Sequence, residues 1–346
     1  MKAATLWNPG NMSVGEVKEP QCPPGGAVLR VTACAVCPTD IKMARVGQRD
    51  LSYPRILGHE VVGVVEQVSG TGPLSIGDTV QVWPGVACGQ CPSCIKGLDN
   101  MCAHQGIIGF NHDGGFAELM AVPAPTVAGG GVNILPSGAD PVLATLTEPL
   151  ACCVHGQNAA SVSTSDRVVI FGAGPMGLMH AALARRKGAR VLAVEPDPER
   201  RELAVHMGAD AGIDPTSGAL STSVNEWTNG QGADVAILAT PKVKVDDDLL
   251  RLMAPRGRVC VFSGLPKNDP RTDVDINQLH YRELLLVGAY GCTSASDTEA
   301  FGIIARGEVD LQSLISQRLP LSSIEEAFRA IEGRRALKCV IDDLER

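Results

Sequence analysis

Four cysteines, Cys88, Cys91, Cys94 and Cys102, are separated by two, two and seven residues. Thiolates at such spacing form a closed tetrahedral cage for a structural zinc. An iron–sulfur cluster and a chance gathering of thiols are the rivals; no open position and no nearby redox partner favour zinc. A second set is dispersed along the chain: Cys37, in Cys37-Pro38-Thr39-Asp40, and the triplet Gly58-His59-Glu60. Alone, Cys37 reads as a core thiol and His59-Glu60 as a surface pair. Together they supply the thiolate, imidazole and carboxylate of a catalytic zinc that keeps one position open. Glu148, in Thr147-Glu148-Pro149-Leu150, is either a helix-cap acid or a member of the metal cleft. Cys152, Cys153 and His155, which follow it, read as packing residues.

A third constellation is Gly172-Ala173-Gly174-Pro175-Met176-Gly177, a G-x-G-x-x-G turn. It follows the apolar run Val168–Phe171 and opens a helix-prone run from Met176 to Lys187. Gly172 serves the tight turn, Gly174 the close approach of a pyrophosphate, and Gly177 the packing of helix on strand. Pro175 and Met176 sit at the helix N-terminus, where unpaired N–H groups and the helix dipole favour phosphate. A second strand, Arg190–Val194, ends in Glu195, 18 residues past Gly177. A carboxylate at that distance bonds a ribose 2′-hydroxyl and repels a 2′-phosphate, so NAD is expected over NADP.

The elements that must carry these groups come in two kinds. Up to about Leu150 the chain is punctuated by Gly and Pro and reads as strands, including Ala27–Cys34, Val61–Val68 and Thr79–Trp83. A β-rich, partly barrel-like domain is expected there. Glu148 precedes a helix-like stretch, Ala151–Ala159. Beyond it helix and strand alternate: helix 198–207, strand 234–239, helix 246–253, strand 258–262 and strand 284–289. With the two opening strands this gives five of the six in a doubly wound parallel sheet, the weak stretch 211–213 being the candidate sixth. Helices are expected again over 296–306 and 324–331, with a closing strand over 338–341. The glycine-rich run Ala128–Val132 reads as a lengthened surface loop.

At 346 residues the chain is long for one core, and a formal charge of −8 argues against a nucleic-acid surface. It is 45% hydrophobic and 3% aromatic, which suits an α/β enzyme and disfavours large aromatic substrates. The opening MKAATLWNPG has no apolar h-region, and no run of 18 apolar residues occurs. A soluble cytoplasmic protein that does not engage a membrane is expected. Twelve cysteines then point to metal ligands and buried thiols more than to disulfides.

In their order along essentially the whole chain, Cys37, Gly58-His59-Glu60, the four-cysteine lobe, Gly114-Gly115-Phe116-Ala117-Glu118, Glu148-Pro149-Leu150 and Gly172–Gly177 resemble the zinc-containing medium-chain dehydrogenases. The branch is that of sorbitol (polyol), threonine and bacterial secondary-alcohol dehydrogenases. The resemblance implies a GroES-like catalytic domain over 1–152 and 295–346, with the structural zinc lobe at about 86–104. It implies a Rossmann NAD-binding domain over 153–294, and a cleft holding zinc, nicotinamide and substrate. It makes Cys37, His59 and Glu60 ligands of the catalytic Zn2+, and Glu148 the acid beside the metal or exchanging onto it. Arg200 matches the position beside the adenosine ribose. Ser263-Gly264-Leu265 and Ala289-Tyr290 would flank the nicotinamide. The last apolar strand often pairs across a subunit interface, so a homodimer or homotetramer is implied. Thr39 matches the first member of a proton relay, whereas Lys42 stands where the family often has the relay's terminal histidine.

The implied reaction is reversible transfer of hydride from a secondary alcohol to NAD, giving a ketone. A polyol, sugar alcohol or amino alcohol is the expected small-molecule substrate, with Asn111, His112 and Asp113 either reaching it or merely decorating a loop. A simple secondary-alcohol dehydrogenase is the alternative; a zinc-free enone or quinone reductase and a non-catalytic relic fit the intact motifs less well.

Overall fold

The computed structural model describes residues 1–344. Two compact units emerge: Met1–Ala151 together with the residues from Cys292 onward, and Cys152–Gly291.

The first unit is built on a seven-stranded sheet. Its path runs through strands Val132–Ile134, Thr79–Val82, Glu60–Val68, Ala27–Ala35, Lys338–Asp343 and Ile315–Pro320, with Leu119–Val122 also pairing on Ala27–Ala35. These strands alternate or run apolar because one face covers a core that includes Leu29, Val61, Val80, Phe116 and Ile341. Helix Ile324–Glu332 closes that core by burying Ile324, Ala327, Phe328 and Ala330 on one stripe. Burying a side chain the size of Phe328 stabilises by roughly 2–3 kcal/mol. The register is what matters for function. Ala35 pairs with both Glu60 and Val340, so the end of one strand lies beside the beginnings of two others.

The second unit is a six-stranded sheet in which every pairing is parallel. Across the sheet the strands are Ala211–Ile213, Arg190–Val194, Arg167–Phe171, Ala233–Leu238, Met253–Val261 and Leu285–Gly288. Numbered along the chain this is the 3-2-1-4-5-6 order of the doubly wound fold. Helices in the crossovers cover the sheet, so inner strands such as Val168–Phe171 are buried throughout.

Several boundaries differ from the sequence reading. The sixth strand is present at Ala211–Ile213, only three residues long. The helix expected from Ala151 begins at Thr147, because a proline in the first turn lacks only an N–H that has no intrahelical partner anyway. The helix expected over 246–253 is Asp247–Arg251, since Asp246 is its N-cap and accepts from Leu249 N at 2.8 Å. Met253 instead opens the following strand. The run Ala128–Val132 is not all loop: Ala128 ends helix Ala124–Ala128, and Val132 enters the sheet opposite Val82.

Candidate metal and cofactor sites

Cys37 follows the strand Ala27–Ala35 and is the N-cap of helix Pro38–Val46. Its Sγ accepts from Thr39 N at 3.4 Å, while Asp40, at the third helical position, accepts from Cys37 N at 3.0 Å. This reciprocal capping box fixes the thiol at a helix N-terminus. His59 is set by Gly58, whose φ of +95° and close approach to Cys34 Sγ (2.8 Å from an added Cβ) leave no space for a side chain. Asp40 then ties the two segments together. Fully buried, it also accepts from Gly58 N at 3.3 Å and from His59 Nδ1 at 3.0 Å.

The Asp40 bond settles the histidine's role. A carboxylate only accepts, so Nδ1 carries a proton and Nε2 is the nitrogen left for a metal, which would take the place of the second proton there. Burial would push the His59 imidazole down, but the charge and hydrogen bond of Asp40, with Cys37 behind them, hold it well above its ordinary value. Phe110 packs edge-on against the His59 ring at 5.5 Å. One donor atom each from Cys37, His59 and Glu60 lies within 4.8 Å of the others. A cysteine sulfur, an imidazole and a carboxylate facing one another within that span fit a single zinc with a position left open.

Two neighbours of this cluster were not singled out by the sequence reading. Asp40 carries a visible sequence signal, an acid three residues after the N-cap Cys37 as in a capping box. Lys338 had no local signal at all. It is 2% exposed, and its Nζ donates to both carboxylate oxygens of Glu60, to Oε1 at 2.5 Å, and to Val36 O at 3.3 Å.

Glu148 is half-buried in the first turn of helix Thr147–Ala159 and stands outside the three-residue cluster. Its charge acts on Lys338 and on the buried Asp297, whose carboxyl is pushed well up by burial first and then by Glu148. Thr39 is half-buried and Lys42 is exposed. Asn111 and Asp113 brace their own loop: Asn111 accepts from Ile107 N at 2.7 Å, and Asp113 accepts from Arg55 at 2.7 Å and from Ile56 N at 3.2 Å. His112 is half-buried and shifted down by burial and by Arg55.

The four cysteines of the lobe are brought together with their sulfurs 3.5 Å (Cys91–Cys94 and Cys88–Cys102) and 3.9 Å (Cys91–Cys102) apart. A zinc–sulfur bond of about 2.3 Å makes the edge of a regular tetrahedron about 3.8 Å, so the cage fits the ion. Backbone N–H groups of Cys88 and His104 point at Cys102 Sγ, both at 3.4 Å. Backbone donors from Cys94 and Ala103 hold Cys91 down at about 6, whereas burial and the neighbouring thiols push Cys94 up to about 12. None of the twelve cysteines is joined in a disulfide.

In the second unit, Gly172 to Gly177 form the turn between strand Arg167–Phe171 and helix Pro175–Arg186. A Cβ on Gly177 would lie 1.8 Å from Gly172 O, which is the close packing the motif requires. Nothing lies within 4 Å of a Cβ on Gly174, so the turn leaves room above the helix N-terminus, and no side chain caps that end. Pro175 and Met176 form the first turn. Glu195, 3% exposed at the end of its strand, accepts from Ala173 N at 2.8 Å and Asp197 N at 3.2 Å. It is thereby fixed against the glycine turn. Arg200 lies half-buried in the first turn of helix Pro198–His206. Ser263, Gly264 and Leu265 follow the strand ending at Val261, and Ala289 and Tyr290 follow the strand ending at Gly288. All these residues therefore gather at the carboxyl ends of the parallel strands, where such sheets bind ligands.

Comparison with known proteins agrees with this layout. Residues 23–129 match the alcohol dehydrogenase GroES-like domain, and residues 175–305 match the zinc-binding dehydrogenase domain. The chain is 31% identical to 2-dehydro-3-deoxy-L-galactonate 5-dehydrogenase of Pseudoalteromonas atlantica, covering 96% of this chain and 95% of the relative. It is 33% identical to L-threonine 3-dehydrogenase of Pyrococcus abyssi, covering 94% and 93%. A zinc-binding dehydrogenase of Sinorhizobium meliloti, solved with NADP, superposes with a TM-score of 0.90 at 29% identity, covering 99% and 98%. With a cysteine–imidazole–carboxylate cluster, a four-cysteine cage and a dinucleotide turn on this architecture, the chain belongs to the zinc-containing medium-chain alcohol and polyol dehydrogenases.

Proposed function

We propose that this enzyme oxidises the CH–OH group of a polyol, sugar alcohol or amino alcohol to a ketone and passes the hydride to NAD. The observation that carries the reading is the buried cluster of Cys37, His59 and Glu60, braced by Asp40. Zinc held there supplies a Lewis acid that makes an alcohol proton easier to remove, and NAD supplies the hydride acceptor. The chain's own residues do the rest. Asp40 orients His59 so that Nε2 is the nitrogen turned to the metal. Thr39, beside Cys37, takes the hydroxyl proton at its Oγ as it passes its own proton toward solvent. Glu148 stands by as a further carboxylate for the metal. Gly174 and the first turn of its helix receive the pyrophosphate, and Glu195 receives the adenosine ribose.

The substrate class follows the polar reaction partners of the relatives, which are a sugar-acid and a β-hydroxy amino-acid dehydrogenase by name. We also infer a homodimer or homotetramer. The edge strand Leu285–Gly288 leaves Leu285 and Leu286 55% and 44% exposed, next to exposed Tyr281 and Ile276. No helix among the described residues is long and apolar enough to cross a membrane, and cysteines free of disulfides suit the cytoplasm.

The test is NAD reduction followed by absorbance over sugar alcohols, sugar acids, L-threonine, butane-2,3-diol and propan-2-ol, with NADP in parallel. Strong turnover of one polyhydroxy or amino-alcohol substrate with NAD supports the reading. Preference for propan-2-ol replaces the substrate class, and preference for NADP overturns the role given to Glu195.

A further inference from the structure

The first unit carries a second cleft, of about 580 Å³, whose lining includes none of Cys37, Thr39, His59, Glu60 and Glu148. That volume lies within the range of about 300–1,000 Å³ that small-molecule sites occupy. Part of its wall belongs to a three-stranded sheet formed by Asn11–Glu16, Lys2–Asn8 and Arg55–Ile56, in that order. Successive side chains of a strand point to opposite faces. Ala4 and Leu6 enter the core, so Thr5 and Trp7 turn the other way and line the cleft. Thr5 pairs with Ile56 and Leu6 with Arg55, which brings Arg55 to the same wall.

The polar groups of this cleft are few and not all satisfied. Thr5 is 5% exposed, and its Oγ1 has no hydrogen-bond partner among the described residues. Arg55 donates from Nη1 to Asp113 at 2.7 Å and from Nη2 to Ser52 Oγ at 2.8 Å, while its buried Nε has no partner there either. Such groups have given up hydration without a bond in return. Lys18 and Arg55 stand against Asp113 as the only acid of the lining, so the cleft is positive on a chain of formal charge −8. The rest of the wall is apolar and flat. Trp7, its indole Nε1 donating to Ser13 Oγ at 2.9 Å, stands among four prolines. Planar rings stack on such faces. We propose that this cleft binds a small aromatic carboxylate, its ring on Trp7 and the prolines and its charge taken by Arg55 and Thr5. A carboxylate only accepts, which matches a guanidinium N–H and a hydroxyl O–H. The polar loop Asn111–Asp113 thereby gains a place: Phe110 before it lies against His59, whereas His112 and Asp113 line this second cleft.

Phenylacetate is the probe, titrated into the zinc-loaded, NAD-saturated enzyme by calorimetry and by tryptophan fluorescence. One saturable site per chain is expected, with a fluorescence change that W7F abolishes. R55M should weaken binding about tenfold or more and T5V about threefold or more. Phenylacetamide, which keeps the ring and loses the charge, should bind about tenfold more weakly than phenylacetate. H59A should bind phenylacetate as wild type does, since the metal cluster takes no part. Absence of saturable binding up to about 10 mM overturns the proposal. So does binding that ignores both R55M and T5V, or binding that H59A abolishes, which would place the carboxylate at the metal cluster instead. Affinity that falls as enzyme concentration rises would mean that a second copy of the chain covers the cleft, and overturns it too. Should R55M fail to fold, T5V and the amide decide, and indifference to both overturns the proposal.

Discussion

Asp40 joins Cys37 to Gly58 and His59, which lie 18 and 19 positions beyond Asp40 in the chain, through bonds to Cys37 N, Gly58 N and His59 Nδ1. Replacing it with asparagine keeps the shape and removes the charge that orients the imidazole. The expected cost is about 10–100-fold in zinc affinity at the Cys37 site, read by chelator competition, with the four-cysteine site unaffected. The three donor residues that gather here were legible in the sequence because thiol, imidazole and acid sit in short distinctive strings. Lys338 was not, because 278 residues separate it from Glu60 and only the pairing of three strands brings them together. A lysine opening a closing strand carries no mark of burial in its local text.

Helix Pro175–Arg186 shows how one element serves packing and binding at once. Its eight buried residues include His180, held down at about 3 by burial, with Lys187 adding to the effect. In the unfolded chain an imidazole titrates near 6.5. The folded value is lower, so the unfolded state binds the extra proton between those limits. The stability this site contributes is therefore complete above about pH 6.5 and is lost as pH falls toward 3. His180→Leu should flatten the acid side of the stability curve by up to about 1.4 kcal/mol per pH unit, measured by urea unfolding between pH 4 and 7. In the first turn of the helix, Gly177→Ala forces a Cβ against Gly172 O. It should weaken NAD binding at least tenfold by calorimetry while zinc content stays unchanged. The glycine string, the strand before it and Glu195 were readable from spacing. The start of helix Thr147–Ala159 was not, because Pro149 reads as a boundary when it is in fact a first-turn residue.

Over the whole molecule the two metal-binding groups have separate duties. The four-cysteine lobe is fastened by Asp99, which accepts from Ser294 N at 3.2 Å and from Ser294 Oγ. Cys94→Ser should remove one zinc per chain and lower the melting temperature by about 5 °C or more, while NAD still binds. The division of the chain into a β-rich unit and a parallel-sheet unit was visible from the change in periodicity near Leu150. The return of the C-terminal residues to the first unit rested on family resemblance, since a strand at 338–343 carries no local sign of the sheet it joins. The central claim is that Cys37, His59 and Glu60 hold a catalytic zinc distinct from the structural one. Native mass spectrometry of wild type and His59→Ala, with NAD reduction measured on the same samples, tests it most directly. The account predicts two zincs and activity for wild type, and one zinc, an intact fold and loss of activity by about a thousandfold or more for the variant. Two zincs in His59→Ala, or full activity with one, would contradict it.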